Sequence, residues 1–299
     1  MQKISFHDQI QKNKLKSFFL IILIFIFFLV LGYLISLILD PSYFFIIMIF
    51  SIIFSMSYVL ISYYNSDKIA LASVRARPAS RSGHPNFYQA AENMALASGL
   101  PMPRLFVMES EEINAFASGR NPEKAVICMT SGALKKLNKQ ELEGVIAHEM
   151  SHIANYDIRF MTLTAVMIGM ISIIAQIFIR SLWFSGMSDR DNKAGAILIL
   201  VGIIFAILAP IAAQLVSLAI SRKREFLADS TAVKFTRYPP GLINALTKIK
   251  NEHVSEKEKH RVAKGLAPLF ISDPFKRKIS GLFATHPDVE ERIKRLKSM

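Results

Sequence analysis

His148 and His152 lie four residues apart in the run His148-Glu149-Met150-Ser151-His152, with Glu149 directly after the first. Four residues make about one turn of α-helix, so the two imidazoles sit one above the other on a single face. Side chains so placed can hold one Zn²⁺, and Glu149 beside them can take a proton from water on the metal. The chain has only seven histidines. A chance pair on a helix face is therefore the weaker reading.

A catalytic zinc takes three protein ligands and keeps one position open. The candidates for the third are Asp157, Glu225, Asp229 and His286. Asp157 follows His152 by five residues and lies on roughly the right side, but its short side chain would need the helix to bend. Glu225 and Asp229 are four apart and share a face. The longer Glu225 can reach the metal while Asp229 accepts a bond from the outer nitrogen of a zinc-bound histidine. A plain polar patch on a surface helix would show the same spacing.

The element that positions the pair starts at Asn138. Asn138 can cap it, and Glu141, three residues on, can reach back as in a capping box. Leu142, Val145 and Ile146 supply a buried stripe at helical spacing. No proline interrupts the run as far as Asp157, so the helix is expected to pass through Asn155-Tyr156-Asp157 straight into the apolar stretch that follows.

The chain as a whole mixes two characters. Over half of its 299 residues are hydrophobic (52%), yet the net charge is +13. Four stretches carry no charge and are long enough for a bilayer, which needs about 20 residues: Phe18 to Leu39, Pro41 to Ser66, Phe160 to Ile179 and Ala194 to Ser221. The division expected is a membrane hairpin over 1–66, with spans at about 18–39 and 43–64. A cytosolic half follows over 67–159, then a second hairpin over 160–221, with spans at about 160–179 and 196–220. A second cytosolic half covers 222–299. The second hairpin contains Gln176, Gln214, Pro210 and several glycines, so burial against the protein is an alternative to spanning. The first apolar run is too long for a signal-peptide core and lacks a small-x-small cleavage pattern. Lys12, Lys14 and Lys16, then Lys68, Arg75, Arg77 and Arg81, then Arg222, Lys223 and Arg224 all flank the same side. Both termini and the histidine pair are thus expected on the cytosolic face of the cytoplasmic (inner) membrane. This bias and anionic lipid headgroups account for the basic excess, and no nucleic-acid module is visible. Cys128 is the single cysteine, which excludes an intrachain disulfide and reads as a buried strand residue.

Three short strand-like runs precede the histidines: Arg104 to Met108, Ile113 to Ala117 and Ala125 to Met129. Gly119-Arg120-Asn121-Pro122 signals a turn between the last two, hence a hairpin in a small antiparallel sheet. Asn114, Ala115, Phe116 and Ala117 form either an ordinary edge strand or one to which a substrate segment adds through main-chain bonds. Helices are expected over Asn86 to Ser98, closed by Gly99, and over Gly241 to Lys250. A last helix is expected from Pro287, with Thr285 or His286 as its cap.

Taken together, these residues resemble the HtpX-type membrane zinc metallopeptidases, which are related to the CAAX-prenyl proteases. The matching motifs are Asn114 to Pro122, Thr130-Ser131-Gly132, Glu141-Leu142 through His148 to His152, Asn155-Tyr156-Asp157, Ser221 to Asp229, and Thr285-His286-Pro287 with Arg292-Ile293. The resemblance implies a mostly α membrane protein with four transmembrane helices and a cytosolic α+β zincin (gluzincin-like) domain. It implies one Zn²⁺ per chain on His148, His152 and Glu225, with Glu149 as base and Asp229 orienting a ligand histidine. It also implies His286 at the oxyanion and Asn114 to Ala117 as the substrate edge. The expected activity is endopeptidase cleavage of polypeptides, misfolded or damaged membrane proteins among them. An intramembrane protease would bury the motif in an apolar segment. Here the motif helix opens with Lys135, Lys136, Lys139, Glu141 and Glu143, which argues against that reading. The rival from another class is a non-catalytic scaffold with a structural zinc, but such sites favour four ligands and cysteine.

Overall fold

The computed structural model describes residues 6–38, 41–165, 202, 222–252, 269–272 and 287–299. In it the capping box at Asn138 forms. The Asn138 side chain accepts from the Glu141 amide at 2.9 Å, and Glu141 Oε2 accepts from the Asn138 amide at 2.8 Å. Each bond satisfies a donor that a helix start leaves without a partner. The helix so begun, Lys139–Ala154, is the sixth of the described α-helices in chain order and is written α6.

Before it come α1 (Phe6–Ile38), α2 (Phe44–Tyr64), α3 (Ser66–Ser73), α4 (Pro85–Ser98) and α5 (Ser131–Lys136). After it come α7 (Arg222–Thr236), α8 (Pro239–Asn251) and α9 (Val289–Leu296). α6 lies against α4, α7 and α8. Leu142, Val145, Ile146, Met150 and Ile153 pack with Phe87 and Met94 of α4 and with Leu246 and Ile249 of α8. Burying such side chains contributes roughly 1.5–3 kcal/mol each, and that is what fixes the rod. Phe87, Ala90, Ala91 and Met94 form the buried face of α4, Leu242, Leu246 and Ile249 that of α8, and Gly99 closes α4 in the left-handed region at φ 70°.

Four strands form one sheet in the order β1 (Arg77–Pro78), β2 (Arg104–Met108), β4 (Val126–Thr130), β3 (Ala115–Ser118). The expected β3–β4 hairpin is present and antiparallel. The wholly antiparallel sheet is not: β2 and β4 run parallel, with Arg104 opposite Val126 and Met108 opposite Thr130. The chain leaves β2, skips one position to lay down β3, and returns into the gap. The returning strand is therefore central and buried throughout, as the unbroken apolar run from Val126 to Met129 allows. Cys128 lies within it, buried.

Among the described residues, two helices are long and apolar enough to cross a membrane, within Ile10–Tyr33 and Phe44–Tyr64, with mean hydropathy 2.8 and 2.6. Phe18, Phe19, Ile26, Phe45, Ile49 and Phe50 line their outer faces exposed, as a lipid surrounding permits. The expected spans at about 160–179 and 196–220 fall almost wholly outside the described residues.

The passage out of α6 differs from expectation. Asn155 and Tyr156 make a turn, with Tyr156 at φ 58°, and helix resumes over 157–165. A left-handed non-glycine residue costs about 1–2 kcal/mol. Bonds on either side of it hold it there: Asn13 Nδ2 donates to the Asn155 carbonyl, and the Asp157 carboxylate meets His152. The last helix also starts later than expected. Its cap is Asp288, whose side chain accepts from the Glu290 amide at 2.9 Å; the expected caps Thr285 and His286 lie outside the described residues.

At Gly144 the backbones of α6 and α8 touch: a Cβ there would come within 2.6 Å of the Leu242 nitrogen. Alanine is the better helix former by about 1 kcal/mol, but it would force two packed backbones apart, an overpacking cost of about 1–3 kcal/mol. Gly144→Ala is expected to lower the thermal midpoint of the detergent-solubilised protein. An unchanged or higher midpoint would show that the contact yields.

Candidate metal centre

α6 and α7 cross so that His148, His152 and Glu225 bring one donor atom each to a single point, all within 4.8 Å of one another and all buried. The distances are tighter pair by pair. His148 Nε2 and His152 Nε2 are 3.3 Å apart. Glu225 Oε2 lies 3.5 Å from His148 Nε2, and Glu225 Oε1 lies 3.5 Å from His152 Nε2. Ligands at 2.0–2.1 Å from a tetrahedral zinc stand about 3.3–3.4 Å from one another. The two imidazole nitrogens already have that spacing, and each has a Glu225 oxygen close to it.

The outer ring nitrogens are held as well. His148 Nδ1 lies 3.0 Å from Asp229 Oδ1, and His152 Nδ1 lies 3.1 Å from Asp157 Oδ2. A carboxylate on the far nitrogen fixes ring orientation and tautomer and raises the basicity of the nitrogen that faces the metal. Asp229 thus meets the outer nitrogen of His148, and Asp157, brought round by a turn after α6, meets that of His152.

Charge points the same way. Glu149, Asp157, Glu225 and Asp229 are all at most 3% exposed. The guanidiniums facing them are the buried Arg292, bonded to Asp229 through Nε at 2.9 Å and Nη2 at 2.7 Å, and the partly buried Arg224, 3.8 Å from Asp157. Among the described residues, four carboxylates against two guanidiniums leave an excess of two negative charges, which burial makes costly. Burial works against a charge on His148, yet hydrogen bonds to Asp229 and Glu225 outweigh it and push its pKa up to about 9. Protonation there offsets part of the excess. A divalent cation offsets all of it.

Burial alone would raise Asp229, but the Arg292 guanidinium and the bond to His148 hold its carboxyl below the usual carboxylate range. Burial pushes the Glu149 carboxyl up, against the pull of both histidines. Both Glu149 oxygens are buried without a close hydrogen-bond partner among the described residues, and the backbone amide of Ala117 favours their charged form. Such a carboxylate, beside the three donors, is placed to take up a proton.

The outer side of β3 is not bare. The Ile271 amide donates to the Ala115 carbonyl at 2.9 Å, and Phe270 forms an antiparallel bridge with Phe116. The two phenyl rings meet edge to face, 5.1 Å between centroids. Asn114 caps this segment by donating from Nδ2 to the Ser272 carbonyl at 3.0 Å. Residues 269–272 thus pair with the edge that the sequence marks for a substrate. His286 lies outside the described residues.

Arg292 carries more of the site than the sequence indicates. Besides gripping Asp229 in a bidentate pair, it donates from Nη1 to the Ile271 carbonyl at 3.0 Å and stands 3.6 Å from Glu225. Its signals in the sequence are a place in the Arg292-Ile293 motif, which names no role, and an arginine on a face otherwise apolar (Val289, Ile293, Leu296), which reads equally as an exposed charge.

A family model described as peptidase family M48 matches residues 84–299. The chain is 46% identical over 255 residues to a protein named Protease HtpX homolog from Caldanaerobacter subterraneus subsp. tengcongensis, a match covering 84% of each chain. A protein of the same name from Dictyoglomus thermophilum is 39% identical over 299 residues, covering 100% of this chain and 96% of the other. Among solved structures, S. mikatae Ste24p shares the fold, with a TM-score of 0.52 at 19% identity over 95% of this chain and 65% of that one.

Glu225→Ala, which removes the donor supplied by α7, is expected to abolish stoichiometric zinc in the purified protein. Asp229→Asn leaves the donors in place, and its affinity in a chelator competition should fall about 10–100-fold. Full zinc content in Glu225→Ala would put the ligand set elsewhere.

Proposed function

The chain belongs to peptidase family M48, and on that premise we propose that it is a membrane-embedded, zinc-dependent endopeptidase. Its substrates in this reading are polypeptides, misfolded or damaged membrane proteins among them, cut at the cytosolic face of the cytoplasmic membrane. The observation that carries the reading is the convergence of His148, His152 and Glu225 with the buried Glu149 carboxylate beside them.

The chemistry that zinc supplies when bound is Lewis-acid polarisation of a carbonyl and acidification of water. The chain's own groups do the rest. Glu149, in a site closed to bulk water, accepts the proton of the attacking water and returns it to the leaving amine. Asp229 and Asp157 hold the imidazole rings so that both Nε2 atoms face inward. Arg292 keeps Asp229 ionised and fixed. His286 is assigned to the oxyanion on the resemblance of the Thr285-His286-Pro287 motif alone.

A substrate segment is placed on the outer side of β3, antiparallel to it, as another strand. The support is that residues 269–272 already use this side, through the Ala115 carbonyl and the Phe116 bridge. A substrate bound there takes the place of that segment. The cytosolic orientation rests on the lysines and arginines that flank the apolar runs.

Glu149→Gln tests the assignment. The variant should keep one zinc per chain yet cleave casein, or itself, about 10²–10⁴-fold more slowly, with wild-type cleavage lost on chelation. Comparable turnover would remove Glu149 from the chemistry.

A further inference from the structure

α1 is longer than its membrane part. Its 33 residues extend about 50 Å, against about 30 Å of hydrocarbon. The residues before Phe18 are mostly polar, with Lys12, Lys14 and Lys16 exposed, yet Asn13 among them is only 6% exposed. Its amide group spends both hydrogens on one turn of chain 142–144 residues away. Nδ2 donates to the Asn155 carbonyl at 3.1 Å and to Asp157 Oδ1 at 2.7 Å. The other oxygen of that carboxylate, Oδ2, is the one on His152 Nδ1. A continuous line of bonds therefore runs from the first membrane helix to a metal-facing imidazole.

The surroundings hold α1 in this place. Asn13, Ser17, Leu20, Ile24 and Phe28 form its buried stripe, at helical spacing. Leu20, Ile24 and Phe28 pack with Phe160 and Leu163 of the helical stretch 157–165. Lys14 lies over the Tyr156 ring, 4.6 Å from its centroid. The chemistry of an amide also suits the task. A lysine here would draw charge from Asp157 and compete with His152 for it. A neutral donor fixes the carboxylate and leaves its charge to the imidazole.

We propose that Asn13 is a positioning residue for the metal centre, acting through Asp157 on His152, so that α1 is a structural part of the zinc site. This rests on His152 being a zinc ligand, the reading given above. The membrane anchor then does more than tether: its seating sets the orientation of one ligand.

The test uses full-length protein in detergent, with zinc affinity read by chelator competition and ligand geometry by the visible spectrum of the cobalt(II) form. Asn13→Leu keeps the side-chain size but has no donor, and Asn13→Asp puts an acceptor against Asp157. Each should weaken zinc about 10–100-fold and alter the cobalt spectrum. Ser17→Ala, which removes the neighbouring Ser17 Oγ to Asn13 carbonyl bond, should leave both readings at wild type. Asn13→Leu added to Asp157→Ala should cost nothing further, because the effect passes through Asp157. Affinity within twofold of wild type in both Asn13 variants overturns the proposal. So does an equal loss in Ser17→Ala, or losses that multiply in the double variant, since either makes the effect one of general packing. Absence of zinc from the wild-type protein overturns the metal reading itself, and this proposal with it.

Discussion

Charge buried out of reach of water governs this molecule. At the crossing of α6 and α7, four carboxylates and two imidazoles lie at most 4% exposed. Each such group is tolerable only if something opposite or complementary reaches it. Asp229 has Arg292 and His148, Asp157 has Asn13, Arg224 and His152, and the inward atoms of His148, His152 and Glu225 have one another at cation-binding distance. Satisfying that set takes groups from α1, α6, the turn after α6, α7 and α9. The topology can be read as the means of delivering them to one place.

Much of this was legible in the sequence, wherever the cause was local. The capping box, the left-handed Gly99 and the buried stripes of α4, α6 and α8 depend on residues within a few positions of one another. So does the stacking of His148 on His152. What the sequence concealed depends on distant partners. The strand order is one case: the β3–β4 turn is written in Gly119 to Pro122, but nothing local says that β4 returns into the gap beside β2. The turn at Tyr156 is another, since neither glycine nor proline marks it, and tertiary bonds rather than propensity hold it. Asp157 was visible as a candidate ligand, yet its role follows from that turn. Asn13 and Arg292 are single polar residues on helix faces that otherwise read as lysine-rich or amphipathic. A lone polar residue has no period, so pattern analysis does not separate a buried partner from an exposed one.

β3 and residues 269–272 add a constraint of their own. The Ala115 carbonyl that bonds the Ile271 amide is an outward-facing group of an edge strand, and such groups attract further strands unless something covers them. Cover is supplied by the chain itself, and Arg292 holds that cover by the Ile271 carbonyl. The guanidinium that keeps Asp229 charged is thus the same one that anchors the segment on β3. Metal-side electrostatics and edge occupancy share a residue, so a change in either is felt by the other.

The order in which such a site can form follows from sequence separation. His148 and His152 meet as soon as one turn of α6 exists, which is a local and fast event. Glu225 lies 73 residues beyond His152, while Asn13 reaches Asp157 and Arg292 reaches His148, each across 144 residues and in opposite directions. These contacts close large loops and come late. Until they close, the imidazoles lack both the third donor and the carboxylates that orient them. A partly folded chain therefore presents at most two loosely held histidines to a cation. The three donors together with the groups that hold them in place exist only once α1, α7 and α9 have docked, so cation binding at this point would be coupled to completed folding.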